Sequence, residues 1–324
     1  MIIRVLSRFV AGVVLPLAFA LPVHAAENFP SHPLRLLVPY PAGGPNDVLA
    51  RMVSAKLGES LGQQVVVDNR PGAGGNLAAD LVAHAPADGY TMILPAMAYA
   101  VNPTLYSKVP YKFTDFAPIT IVAKGPLVLV VSPSAGINSV KELLAAAKAK
   151  PGQLQYASGG NGSSLHLAGE LFKLQAGVDL LHVPYKGTND LIPDLLAGRV
   201  PIAFASPLVM QPHVKAGRLK ALGVTSSKRS RGWPEVPTIS EAGVKGYEMD
   251  AWYAMLVPAG TPASIVTLLN KQVVRGLKAA DVQEKLGALG VEAVADTPEE
   301  AARYITSEER KWSKVLKAAN IRAD

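Results

Sequence analysis

The residues of this chain best suited to chemistry lie in three glycine loops, each set between an apolar run and a helix start. In the first, Leu36-Leu-Val-Pro-Tyr-Pro-Ala-Gly-Gly-Pro-Asn-Asp47, a buried-strand pattern ends in a Pro/Gly loop. Asn46 or Asp47 is then placed to cap a helix whose apolar positions Leu49, Met52, Val53 and Leu57 recur at helical spacing. A strand, a glycine loop and a helix N-terminus together present bare backbone N–H groups to an anion, and Gly43 and Gly44 let the main chain come close to it. A single loop of this kind is also what an ordinary strand-to-helix turn looks like. The grammar recurs, however, in Val183-Pro-Tyr-Lys-Gly-Thr-Asn-Asp190. It recurs again in Leu154-Gln-Tyr-Ala-Ser-Gly-Gly-Asn-Gly-Ser-Ser-Leu-His166, with hydroxyls at Ser158, Ser163 and Ser164. Three loops of one kind point to one site assembled from several parts.

Other chemistries find less support. The histidines at 32, 84, 166, 182 and 213 form no i,i+4 pair. His84 with Asp88 and His166 with Glu170 have that spacing but lack a third ligand nearby, so no metal is expected. Ser163 and Ser164 lie close to His166, yet no Gly-x-Ser-x-Gly elbow is present, a triad would also need an acid to orient the imidazole, and nearness in sequence at a helix start is a poor guide to triad geometry. Pro71-Gly-Ala-Gly-Gly-Asn76 comes nearest to a dinucleotide fingerprint, but Leu77 stands where its third glycine belongs, and no cofactor is implied. Lys186 is the only cation inside the three loops. Hydroxyls and main-chain donors of this sort suit reversible binding of a carboxylate or amide.

These loops need elements to hold them. Of the 324 residues 49% are hydrophobic, enough for two lobes with a substantial core, and the chain has no cysteine and hence no disulfide. The net charge of +7 comes from scattered basic residues, and with 6% aromatics and no basic stripe a nucleic-acid partner is not expected. Arg4 and Arg8, the apolar stretch 9–21 and Val23-His-Ala25 read as a cleaved signal peptide over residues 1–25, which marks the protein for export. Short apolar runs then alternate with amphipathic helices, the pattern of an α/β fold with mainly parallel sheets. Strands are expected at 34–38, 64–68, 91–94, 119–122, 127–131, 154–157, 180–183, 200–205, 220–225, 250–257 and 291–294. Ser139-Val-Lys-Glu142 and Thr238-Ile-Ser-Glu241 read as capping boxes opening helices. No linker divides the chain, so two lobes would have to be joined by strands crossing between them, within 117–131 and within 243–257. A C-terminal helix over about 298–319 would return to the first lobe.

Six motifs in order resemble a known family. They are Val38-Pro-Tyr-Pro-Ala-Gly-Gly44 with Asp47 and Ala50-Arg51; Asn69-Arg-Pro-Gly-Ala-Gly-Gly75; Ala87-Asp-Gly-Tyr90; Tyr156-Ala-Ser158 with Gly162-Ser163 and His166-Leu-Ala-Gly-Glu-Leu-Phe172; Val183-Pro-Tyr-Lys-Gly187; and Trp252-Tyr253 with Pro258-Ala-Gly-Thr-Pro262. Together they resemble the Bug-type periplasmic solute receptors of tripartite tricarboxylate transporter systems, over essentially the whole chain after the signal. The resemblance implies a type II periplasmic binding protein fold: two α/β lobes, 26–123 with 247–324 and 124–246, close over a small organic acid, and the loaded form meets a membrane permease. It implies a non-catalytic monomer with first-lobe contacts at Tyr40, Ala42, Gly43, Gly44 and Asp47. The second-lobe contacts would be Ser158, Gly159, Gly162, Ser163, Ser164 and His166. Tyr40, Tyr185 and Ser206 would line the wall between the half-sites. Asp47 reads first as a helix cap and His166 as support for the serine loop, while Trp252 reads first as a core aromatic. Two alternatives stay open at this level: a ligand sensor docking onto a sensor kinase, and a periplasmic enzyme using Ser163 or Ser164 with His166.

Overall fold

The computed structural model describes residues 29–318 and 321–322, so the expected signal peptide lies outside the described residues. The strands are β1 (Leu34–Val38), β2 (Val65–Asn69), β3 (Thr91–Ile93), β4 (Phe116–Pro126), β5 (Val128–Val131), β6 (Gln155–Ser158), β7 (Leu181–Pro184), β8 (Ile202–Ala205), β9 (Lys220–Val224), β10 (Asp250–Pro258) and β11 (Glu292–Ala293). The helices are α1 (Pro45–Leu61), α2 (Asn76–Ala83), α3 (Ala98–Leu105), α4 (Val140–Ala149), α5 (Ser164–Ala176), α6 (Thr188–Leu196), α7 (Pro207–Lys215), α8 (Ala263–Leu277), α9 (Ala280–Leu289) and α10 (Pro298–Ala318). They form two sheets, one ordered β11-β4-β10-β3-β1-β2 and the other β7-β6-β8-β5-β9.

The sheets are mixed, which corrects the expectation of mainly parallel pairing. β2, β1 and β3 pair parallel, as do β7, β6 and β8, because a helix intervenes between successive strands. β10 runs antiparallel to both β3 and β4, and β5 antiparallel to β8 and β9. The reason lies in the connections. Only Leu127 separates β4 from β5, which lie in different sheets, so the chain leaves the first sheet along β4 and comes back along β10 in the opposite sense.

Those two links carry the chain from one sheet to the other and back. β4 and β10 stay paired to the crossing, where Asp250 faces Pro126. Thr225, wholly buried, ties the links together: its Oγ1 accepts from the Leu127 N–H (2.7 Å), its N–H donates to the Leu127 carbonyl (2.9 Å), and its carbonyl accepts from the Met249 N–H (2.8 Å).

β1 shows why the first sheet reads as a continuous apolar run. Leu36 and Val38 pack on the α1 and α8 side while Leu37 faces the opposite core, so both faces are covered. The second core continues through Leu127 into β5, β6 and β8 and reaches α10. There Trp252 and Trp312 are wholly buried, and both indole N–H groups donate to Glu308 Oε2 at 3.1 Å. Trp252 is therefore a core residue that fixes β10 against α10. Of the two capping boxes, Ser139 does cap α4 by accepting from Glu142 N–H, whereas Thr238 and Glu241 exchange both hydrogen bonds but close only a turn. Replacing Glu308 with alanine strands two buried donors at about 1–3 kcal/mol each. We expect a loss of about 2–4 kcal/mol in urea unfolding, and a smaller loss for Glu308→Gln, which keeps an acceptor oxygen.

Candidate functional site

A cavity of about 180 Å³ lies between the two sheets, with Leu127 in its lining. Four helices begin at its wall: α1 after Gly44, α5 after Ser163, α6 after Gly187 and α7 after Ser206. One of the four comes from the first sheet and three from the second. The first N–H groups of a helix have no partner within it and carry partial positive charge, so their convergence makes the cavity a basin for anions without any basic side chain in its lining.

The α1 loop differs from expectation in one detail. The helix starts at Pro45 with Gly44 as its cap, not at Asn46 or Asp47, because proline's fixed φ and missing N–H suit the first helical position. Asp47 instead turns back to accept from the Gly43 N–H (3.0 Å) and from Arg51 Nε (2.9 Å). Burial opposes its ionisation, but the Arg51 and Gly43 hydrogen bonds outweigh burial and hold the carboxyl below the usual carboxylate range. Gly43, at φ +81°, and Asp47 thus shape the loop from behind and do not line the cavity.

The α5 loop is braced in the same way. Ser163 Oγ donates to the Gly160 carbonyl (2.7 Å) and accepts from the His166 N–H (3.3 Å). His166 Nδ1 accepts from the Gly162 N–H (3.2 Å), which leaves the ring proton on Nε2. The His166 ring stacks on His182 at 4.1 Å between centroids, and His182 Nε2 meets Ser158 Oγ at 2.6 Å. Glu170 stands behind this pair, accepting from Tyr156 Oη (2.6 Å) and Lys173 Nζ (3.0 Å). Burial, reinforced by Lys173, holds His166 down at about 4. Burial, reinforced by His166, holds His182 down at about 3. Both rings are neutral props: the one serine hydroxyl paired with an imidazole is that of Ser158, whereas those of Ser163 and Ser164 bond to no imidazole nitrogen.

Of the residues expected in the site, Tyr40, Ala42, Gly44, Gly159, Ser163, Ser164 and Ser206 line the cavity together. Gly43, Asp47, Ser158, Gly162 and His166 stand behind it. Tyr185 lines a neighbouring chamber, its hydroxyl donated to Asp194 Oδ2 (2.6 Å). The hydroxyls of Ser164, Thr188 and Ser206 make no hydrogen bond to any described residue and are free for a ligand. Burial raises both Tyr253, to about 12, and Tyr40, so the two phenols remain donors at neutral pH. The sequence reading missed Thr188, Asn189 and Asp190 as lining residues, although their loop repeats the Val-Pro-Tyr grammar. It also missed Ala96, Leu127 and Tyr253, which no local pattern marks. Asp190 is the one carboxylate in the lining.

Across the cleft the two halves meet at close range. A Cβ on Gly162 would lie 2.7 Å from Leu105 Cδ2 and 2.8 Å from Asn102 Oδ1 of α3, and one on Gly43 3.8 Å from Asn189 Nδ2.

Two mixed α/β halves joined by crossing strands, with a small cavity walled by helix N-termini from both, define a solute-binding receptor of the periplasmic binding protein fold. The chain belongs to the tripartite tricarboxylate transporter family of receptors, whose sequence profile matches residues 49–321. Among its relatives, BugT of Bordetella pertussis (strain Tohama I) is 38% identical over 321 residues, 98% of this chain and 96% of that protein. Among solved structures, Rpa4515 of R. palustris with adipate shares 39% identity at a TM-score of 0.86, covering 91% of this chain and 99% of that one. MatC from Rhodopseudomonas palustris with bound malate shares 31% at a TM-score of 0.83, covering 89% and 100%. These are periplasmic receptors and not enzymes, and the Ser/His hydrolase alternative is set aside.

Two measurements probe this geometry. An unfolded histidine titrates near 6.5, above both folded values, so the unfolded chain binds more protons between pH 6.5 and about 3. Thermal stability should therefore be full above pH 6.5 and fall progressively as the pH drops through this window, and His182→Phe should flatten the decline. Gly162→Ala places a methyl group against Leu105 and Asn102 at a φ of +75°. It should weaken ligand binding at least tenfold in titration calorimetry while lowering the melting temperature of the unliganded protein by only a few degrees.

Proposed function

We propose that this chain captures a small organic acid between its two lobes in the periplasm and hands it to a membrane permease of the tripartite tricarboxylate transporter type. The observation that carries this reading is the convergence of four helix N-termini and three unpartnered hydroxyls on a cavity whose lining holds no basic side chain. A carboxylate near one helix N-terminus gains about 0.3–1 kcal/mol, and more where it is partly buried, so several termini together can hold an anion with no arginine. The solved relatives with adipate and malate support the carboxylate class.

In this reading the lobes are 26–123 with 247–324 and 124–246, acting as a monomer, and residues 1–25 are the export signal. Gly44 and the N–H groups that follow it hold one end of the acid. Gly159, Ser163, Ser164 and Thr188 hold the other, with Tyr40 and Ser206 along the wall. Gly43, Asp47, Ser158, Gly162 and His166 keep those donors aimed. Because each lobe carries only part of the site, ligand favours the closed arrangement by contacts that an open one lacks, and closure is what a permease can read. The β4 and β10 crossing, tied by Thr225, is where the bending would fall.

A thermal-shift panel of mono- and dicarboxylates, amino acids, amides and neutral sugars tests the assignment. An acid present at about 100 times its dissociation constant should add roughly 2.7 kcal/mol of stability. That gain should shrink in Ser164→Ala and Ser206→Ala. A panel in which only neutral solutes stabilise the protein would reject the carboxylate reading.

A further inference from the structure

Basic residues that are scattered along the sequence are unevenly shared between the two halves. Residues 124–246 hold 14 lysines and arginines against 7 acids, whereas the rest of the chain after residue 25 holds 16 against 18. The fold then gathers part of that surplus at one end. β6, β7 and β8 run parallel with their last residues toward the cavity, and β5 runs antiparallel to β8 and β9 from its start beside Leu127. The turns that end β5 and begin β6, β7, β8 and β9 therefore meet at the opposite end of the second sheet. Contacts join them there: the Ser132 N–H donates to the Pro201 carbonyl (2.8 Å), the Gly152 N–H to the Asp179 carbonyl (3.2 Å), and Lys220 Nζ to Asn138 Oδ1.

Lys141, Lys148, Lys150, Lys215, Arg218 and Lys220 lie on these turns or on the helix ends beside them, and all six are exposed. None is in an ion pair among the described residues. The acids nearby are occupied. Glu142 accepts from the Asn138 N–H (2.8 Å), Asp179 lies 3.9 Å from Lys173 Nζ, and Asp194 takes Arg199 and the Tyr185 hydroxyl. Two exposed leucines, Leu174 at 44% and Leu181 at 50%, flank the turn that carries Asp179. Unpaired charge and apolar surface thus share one end of the lobe, and none of the six cations lines the solute cavity.

We propose that this end of the second lobe rests on the surface of an anionic lipid bilayer. The six cations are spread over several turns instead of converging on one point, which matches a flat, smeared charge and not a single bound peptide. Leu174 and Leu181 add side chains that can enter the headgroup layer. The cavity loops lie at the other end of the same strands, so a receptor lying this way stays beside the membrane with its cavity free to load. The proposal does not rest on the carboxylate reading.

Flotation of the mature protein with lipid vesicles tests it. Vesicles of phosphatidylcholine alone should leave the protein free. Added phosphatidylglycerol should draw it to the vesicles, and high salt should release it, since exposed charges are screened within a Debye length. The triple variant Lys141→Glu, Lys148→Glu, Lys150→Glu should weaken binding by about a hundredfold, at several-fold per charge removed. The same charge change at Lys271, Lys278 and Lys285, on the α8 and α9 side of the first lobe, should weaken it far less. Leu181→Ser should lower it by a few-fold. All seven side chains are exposed and outside the cavity lining, so each variant should melt and bind acids as the parent does. Vesicle binding that is absent at every phosphatidylglycerol content, or that falls equally in the two triple variants, would overturn the proposal. Capture by an acidic protein with no vesicle binding would overturn it as well.

Discussion

Leu127 is the point on which the arrangement depends. It is the single residue between β4 of one sheet and β5 of the other, and its backbone is held on both polar atoms by Thr225. A connection that short fixes where the second sheet starts relative to the first, and the returning strand β10 is paired beside β4 up to the same level. The crossing therefore sets which loops of the two sheets can face each other. Leu127 also lines the inner cavity, so the joint between the halves is itself part of the cavity wall. The buried pairing of Trp252 and Trp312 to Glu308 fixes α10 to the same strand and gives the joint a rigid back.

The site relies on backbone more than on side-chain charge, and that choice creates a second requirement. Backbone donors point correctly only if their loops are held, and glycine loops do not hold themselves. In the first lobe Asp47 and Arg51 brace the loop through Gly43. In the second, His166 and His182 do so through Gly162 and Ser158, backed by Glu170 and Tyr156. The polar residues that look most reactive in the sequence are thus occupied in positioning. The groups left free for a ligand are plain hydroxyls and amides, which fits an acid that must be released again.

Much of the fold was legible in the sequence. All eleven strands fall within a few residues of the expected runs, because buried strands flanked by glycine and proline leave a clear pattern of apolar residues. The first crossing lies inside its expected stretch, 117–131, and the second link, 225–249, ends inside the other, where β10 begins at Asp250. Strand direction is not legible in the sequence: an apolar run looks the same whichever way it points, and only the pairing of the outgoing β4 with the returning β10, and of β5 with β8 and β9, shows the antiparallel order. The start of α1 was placed late because Asn46 and Asp47 have good capping side chains, while Pro45 with Gly44 ahead of it proved the stronger determinant.

The site divides along the same line. Gly44, Gly159, Ser163 and Ser164 were visible because a loop that offers bare amides needs glycine and a capping hydroxyl at fixed offsets. Whether Gly43, Ser158, Gly162 and His166 face the ligand or stand behind it was not visible, since a residue's identity does not encode which way its loop is turned. Ala96, Leu127 and Tyr253 belong to the cavity only because strands distant in sequence are packed side by side. The sequence by itself determined the elements, the loop chemistry and the affinity for an anion, all properties of short stretches of chain. Only the tertiary structure decided how those loops combine and which hydroxyls remain unpartnered, because each of these depends on atoms brought together from both sheets.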